Sequence, residues 1–158
     1  MKRAICSGSF DPVTIGHIDI FERASRMVDE LTVCVFYNVN KQSFFPIEER
    51  VELLRESVRH IANIRVDSFS GLLSDYMLEH DIKIIIRGLR SVTDFEYEQQ
   101  SAQAIHHMCP EIETIFLLSD PRHAFVSSSL VRELAWFRGD VSKLVPECVE
   151  SAIAHRLV

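Results

Sequence analysis

Runs of β-branched and aliphatic residues alternate along this chain with stretches whose apolar positions recur every three or four residues. Arg3 to Cys6, Leu31 to Tyr37, Ile64 to Phe69, Lys83 to Arg87 and Glu113 to Leu118 form the predicted strands. In Val33-Cys34-Val35-Phe36 and Ile84-Ile85-Ile86 the apolar residues are consecutive, the pattern of a strand covered on both faces. Between the strands, Ile18, Phe21, Ser25 and Val28 share one helical stripe, and Ile47, Val51, Leu54, Val58 and Ile61 share a cleaner one. Leu72, Leu73, Tyr76 and Met77 predict a short third helix with Ser70 as its cap. A fourth opens on Thr93-Asp94-Phe95-Glu96, which fits a capping box, and runs toward Met108. Leu130, Val131, Leu134 and Phe137 predict a fifth, and Pro146 starts a last one through Val149, Ile153 and Leu157.

Strict alternation of strand and helix implies a parallel sheet, because parallel neighbours need a crossover. The expected class is therefore α/β: a Rossmann-like parallel five-stranded sheet with helices on both faces, built as one domain over residues 1–158. Neither a linker nor a repeat interrupts it. With 47% apolar and 25% charged residues the chain has the composition of an ordinary globule. Lys and Arg number 17 against 23 Asp and Glu, a net charge of −6, which argues against nucleic acid as partner and makes any anion site a local one. Apolar runs such as Val33 to Tyr37 are far too short to span a bilayer. Met1-Lys2-Arg3 runs almost at once into Ser7-Gly8-Ser9 and Asp11, without a secretory apolar segment, so a cytoplasmic location is expected. Cys6, Cys34, Cys109 and Cys148 are widely spaced and are expected to be reduced packing residues, not zinc ligands.

In an open parallel sheet, ligands bind beyond the carboxyl ends of the strands. The loops to search are Gly8 to His17, Asn38 to Lys41, Ser70 to Leu73, Arg87-Gly88-Leu89-Arg90, and Arg122 to Ser129. With glycine only at 8, 16, 71, 88 and 139, neither a GxGxxG fingerprint nor a Walker A loop can be written. The chemistry that remains is a phosphate cradle assembled from separate loops. Ser127, Ser128 and Ser129 open a helix, where hydroxyls, free amides and the helix dipole favour an anion. Lys41 offers a point charge, and Arg87 and Arg90 offer planar forks. Each alone is an ordinary surface charge, but His17, Lys41, Arg87 and Arg90 follow strands one, two and four and would meet at one sheet edge.

Gly8-Ser9-Phe10-Asp11-Pro12 followed by Thr14-Ile15-Gly16-His17 resembles the nucleotidylyltransferase superfamily, whose mark is a GxFDPxxxGH stretch. Arg87-Gly88-Leu89-Arg90, Asp94-Phe95-Glu96-Tyr97-Glu98 and Val126 to Glu133 narrow the resemblance to the bacterial phosphopantetheine adenylyltransferase family, over essentially the whole chain. Ser7 stands where that family usually has proline, and His123 where relatives often carry a larger aromatic residue. The resemblance implies adenylyl transfer from ATP to 4′-phosphopantetheine, with Mg²⁺ held mainly by substrate phosphates and water. It places Ser9, Lys41, Leu73 and Arg87 on phosphopantetheine. On ATP it places Ser9, Phe10, His17, Gly88, Leu89, Arg90 and Glu98, with the loop His123, Ala124, Phe125, Val126, Ser127, Ser128 and Ser129. It further implies a homohexamer of two stacked trimers and feedback by coenzyme A.

A phosphate nucleophile is already ionised at neutral pH, so the reaction needs no general base; this agrees with the lack of a Ser-His-Asp arrangement or a spaced carboxylate pair. Catalysis then reduces to positioning and charge stabilisation. His17 is the expected donor to the α-phosphate, Lys41 the bridge between acceptor and α-phosphate, and Arg90 the grip on the β- and γ-phosphates. Competing readings are another transferase of the superfamily, such as a nicotinate-mononucleotide adenylyltransferase or a glycerol-phosphate cytidylyltransferase, and a nucleotide-binding regulatory module without chemistry. The RGLR and DFEYE segments and the triple serine oppose the first; retention of His17 and Lys41 opposes the second.

Overall fold

The computed structural model describes residues 1–37 and 42–157. Five parallel strands, β1 (Arg3–Gly8), β2 (Glu30–Phe36), β3 (Ile64–Phe69), β4 (Ile84–Leu89) and β5 (Glu113–Leu118), lie in the order β3-β2-β1-β4-β5. The helices between and after them are α1 (Ile15–Ser25), α2 (Ile47–Val58), α3 (Leu73–Glu79), α4 (Val92–Met108), α5 (Ser128–Trp136) and α6 (Glu147–Arg156). The expected α/β class, strand number and parallel pairing are all present.

Side chains alternate across the sheet as the strand period of two requires. Ala4, Cys6, Leu31, Val33, Val35 and Ile86 face one side, where Phe21 and Ala24 of α1, Leu54 of α2, Val131 of α5 and Val149 of α6 close a large core. Ile5, Cys34 and Ile85 face the other, packed by Tyr76 and Met77 of α3 and bordered by Ile105 of α4. The runs of consecutive apolar residues are thus strands covered twice. Arg87, two positions beyond Ile85, belongs to the α3–α4 face, whereas Gly88 follows Ile86 toward α1. There a Cβ would come within 2.9 Å of Cγ1 of Ile20, so glycine lets α1 lie directly against β4.

Several boundaries differ from the sequence reading. The fourth strand is expected to end at Arg87, yet Gly88 and Leu89 are strand too, pairing in register with Leu117 and Leu118. Backbone pairing with β5 overrides the breaking tendency of Gly88. Ser70 is not the cap of α3; Leu72 is, without a side-chain bond, because Gly71 at φ 142° turns the chain between them into a conformation open to glycine. The expected capping box at Thr93 is replaced by Ser91, whose hydroxyl accepts from the Asp94 amide. Pro146 is the N-cap of α6, not its first helical residue, and Phe137 ends α5 exposed instead of continuing its stripe.

Candidate functional site

The strand order reverses between β1 and β4, the switch point at which loops on either side part and leave a crevice. A cleft of about 590 Å³ opens there. It is lined by the turn after β1, the first turn of α1, the end of β4, the start of α4 and the first turn of α5. Ser9, Phe10, His17, Arg87, Gly88, Arg90, Glu98, His123, Val126, Ser127, Ser128 and Ser129 all line this one cleft. A second recess of about 600 Å³ adjoins it, shared through Ser9 and Arg87 and walled by Leu73, Ile105 and Met108. The side chain of Leu89 is buried in the sheet, and Phe125 is exposed; neither they nor Ala124 line the cleft. Lys41 lies outside the described residues.

His17 is held by the cap of its own helix. Thr14 is the N-cap of α1; its hydroxyl accepts from the His17 amide at 3.4 Å, and its own amide donates to Nδ1 of His17 at 3.0 Å. This is a capping box with histidine in place of glutamate. Because Nδ1 accepts from a backbone N–H, the neutral ring carries its proton on Nε2. Phe10 meets the ring edge-on at 5.1 Å, and Phe21 stacks at 6.3 Å. Desolvation, and then the charge of Arg90, push its pKa down to about 4, so at neutral pH it is a neutral N–H donor.

The two arginines are set by carboxylates one turn apart on α4. Nε of Arg87 lies 3.3 Å from Glu98, and its Nη1 donates to the Ser7 carbonyl. Arg90 donates from Nε and Nη2 to the two oxygens of Asp94 at 3.0 and 3.2 Å, and from Nη1 to the Val126 carbonyl at 3.3 Å. Burial works to raise the Asp94 carboxyl, but bonds and charge from Arg90 outweigh it and hold it below the usual range. Both forks are therefore pre-oriented, which reduces the rotamer entropy lost on gripping an anion.

The three serines divide their work. Ser127 caps α5 by accepting from the Leu130 amide at 3.1 Å, Ser128 donates to the Pro12 carbonyl at 2.8 Å, and Ser129 accepts from Arg132 at 3.2 Å. Their hydroxyls are mostly committed, so the first-turn amides of α5 carry the anion-binding capacity. On the cleft floor, burial pushes the Cys6 thiol up to about 12 against the lowering effect of Arg87, keeping it protonated and a poor nucleophile. All four cysteines are free. Among the described residues no group of three or more His, Cys, Asp or Glu is placed to hold a metal ion.

Residue-by-residue reading overlooked the supports. Asp94 is signalled by its i,i+4 spacing from Arg90, and Thr14 by Thr-x-x-His, a capping box with an unusual third member. Ser101 and Ser119 carry no local signal, because what brings them to the cleft is packing between distant segments, and Arg50 reaches only the Ser9 carbonyl behind the cleft. Tyr97 and Arg132 lie in the Asp94 to Glu98 and Val126 to Glu133 segments but are not singled out there.

Residues 5–134 match the Cytidylyltransferase-like family model. The phosphopantetheine adenylyltransferase of Shouchella clausii is 53% identical over 97% of this chain and 96% of its own length. The enzymes of that name from Syntrophomonas wolfei and Dictyoglomus turgidum are 49% and 51% identical, over 100% and 99% of this chain and 98% of each of their own lengths. A crystal structure from Vibrio parahaemolyticus, whose name assigns it to the nicotinate-nucleotide adenylyltransferases, superposes with a TM-score of 0.72 at 16% identity, covering 99% of this chain and 95% of that one. At that identity the likeness concerns the fold alone.

Proposed function

The chain belongs to the phosphopantetheine adenylyltransferase family, and from that premise we propose how its cleft carries the reaction. It is a nucleotidyltransferase that joins the adenylyl group of ATP to 4′-phosphopantetheine, forming dephospho-coenzyme A and pyrophosphate in coenzyme A biosynthesis. The acceptor phosphate oxygen attacks the α-phosphorus of ATP, the new P–O bond forms, and the bond to the bridging oxygen of pyrophosphate breaks. No proton need be removed from the nucleophile.

Convergence of His17, Arg87, Arg90 and the first turn of α5 on one cleft carries the assignment of roles. Nε2 of His17 donates to the α-phosphate oxygens as charge builds on them in the transition state. Arg90 and the α5 amides hold the β- and γ-phosphates. Arg87 and Ser9, which border both cavities, hold the acceptor phosphate, with the pantetheine arm running past Leu73 into the adjoining recess. Lys41 bridges acceptor and α-phosphate in this scheme on the strength of the resemblance. Glu98 borders the ATP cleft and sets Arg87 for the acceptor phosphate. Mg²⁺, when bound, neutralises phosphate charge; the cleft carboxylates Asp94 and Glu98 are committed to arginines, which supports coordination by phosphate oxygens and water.

We further propose a cytoplasmic homohexamer, built as one nucleotidylyltransferase domain per chain and inhibited by coenzyme A. No helix among the described residues is long and apolar enough to cross a membrane. None of the described residues of α4 is buried, although the helix carries Val92, Phe95, Tyr97 and Met108, which supports a face that meets other copies. Coenzyme A retains the pantetheine arm and so would compete for the recess beside Leu73. The assay is pyrophosphate release from ATP with phosphopantetheine, with nicotinate mononucleotide, or with no acceptor. Release with phosphopantetheine alone is expected; equal release with nicotinate mononucleotide, or none with any acceptor, overturns the reading.

A further inference from the structure

Arg50 stands on the first turns of α2 at 6% exposure. Its Nη1 donates to the Ser9 carbonyl at 2.9 Å, and its Nε is buried without a hydrogen-bond partner among the described residues. The neighbouring charges of α2 pair elsewhere: Glu49 with Arg156, Glu52 with Arg55, Glu56 with Arg59. A buried guanidinium without a carboxylate is a poor device for stability, since its desolvation is repaid only by good partners. Its one hydrogen bond among the described residues goes to the turn that lines both cavities.

That turn is conformationally unusual. Phe10 has φ 43°, the left-handed region that is unfavourable for a residue with a Cβ. Neighbouring positions are fixed by other contacts: the Asp11 carbonyl accepts from Nη1 of Arg132 at 2.6 Å, and the Asp11 carboxylate accepts from the Phe44 and Phe45 amides at 2.7 and 2.8 Å. Arg50 alone among these holds the peptide unit between Ser9 and Phe10. That unit is trans, so its carbonyl and its N–H point in opposite directions. With the carbonyl drawn inward to Arg50, the Phe10 N–H is directed away from α2, and it donates to no acceptor among the described residues.

We propose that Arg50 is a positioning residue for adenylyl transfer, acting through the Ser9 carbonyl to aim the Phe10 amide at a phosphate in the cleft. The inference rests on the reading of the cleft as the site of that transfer. It explains why a cation is buried behind the turn: the guanidinium fixes the donor's direction and adds positive potential where the polyanion lies.

The test compares Arg50→Met, which keeps length and packing but removes the donors, with Arg50→Lys, which keeps a donor. Arg50→Met is expected to melt within a few degrees of the parent and to lose about 10²-fold in kcat, the scale of a small misplacement of a reacting group. KM for ATP and for phosphopantetheine should change less than about 3-fold, with partial recovery of kcat in Arg50→Lys. Titration with inorganic pyrophosphate should move the Phe10 amide NMR resonance in the parent and move it several-fold less in Arg50→Met. Turnover within about 2-fold of the parent, or activity lost only in proportion to unfolded protein, overturns the role. Should the parent release no pyrophosphate with phosphopantetheine, the transferase reading fails, and an equal pyrophosphate-induced shift at Phe10 in parent and Arg50→Met would then overturn the claim for Arg50 separately.

Discussion

His17 shows how a local backbone device makes a chemical group. The Thr14 amide occupies Nδ1, which leaves Nε2–H for the cleft, and a pKa held down to about 4 keeps that tautomer neutral. A donor whose bond strengthens only as charge builds on the α-phosphate lowers the barrier without tightening substrate binding. His17→Ala is therefore expected to lower kcat about 10²- to 10³-fold, with a much smaller change in ATP affinity, measured by steady-state kinetics beside equilibrium titration; equal losses in both would make the ring a simple binding group. The pH dependence follows from the same contacts. An exposed histidine titrates at 6.5, so between pH 6.5 and 4 the unfolded chain takes up a proton that the folded chain refuses. This contribution to stability is complete above about pH 6.5 and is lost as pH falls toward 4. Because the acceptor phosphate itself titrates near pH ~6, the ring should be followed directly by NMR in the ligand-free protein. A midpoint near 4 is expected, and one near 6.5 would remove the basis for a permanently neutral donor.

At the scale of elements, the site depends on how closely α1 lies on β4 and how α4 faces the cleft. Gly88 permits the first: an added methyl would sit 2.9 Å from Cγ1 of Ile20, so the Ile20 side chain or α1, the helix that carries His17, would have to shift. Gly88→Ala should cost about 1 to 3 kcal/mol by overpacking, seen as a lower melting temperature, together with reduced turnover. In an Ile20→Ala background, which lacks the Cγ1 and Cδ1 atoms the new methyl would meet, Gly88→Ala should cost less of both; strictly additive losses in the double mutant would mean that the two residues do not share the space. On α4, Asp94 and Glu98 each turn one face of a helical turn toward an arginine of the cleft. No residue of that helix is fully buried, and Val92 is 75% and Tyr97 71% exposed. One helix thus both orients the two cleft arginines and carries the exposed apolar residues proposed for assembly.

For the whole molecule, a switch in strand order gathers residues from across the chain into one cleft. Assembly through α4 predicts a sedimenting species of six times the 18.2 kDa of one chain, shifted to smaller species by Phe95→Glu; a parent that sediments as a monomer would refute it. Sequence by itself determined the alternation of strands and helices, the double coverage of Val33 to Phe36 and Ile84 to Ile86, and the placing of His17, Arg87 and Arg90 at one sheet edge. Those features depend on period and residue type, which are local. It misjudged the end of β4, because pairing of Gly88 and Leu89 with β5 is a tertiary fact that outweighs glycine's propensity. It also could not show that Asp11 gathers the Phe44 and Phe45 amides, that Arg50 holds the Ser9 carbonyl, or that Ser128 holds the Pro12 carbonyl. Those bonds join residues between 33 and 116 positions apart, and only the folded backbone decides which distant polar groups must satisfy one another.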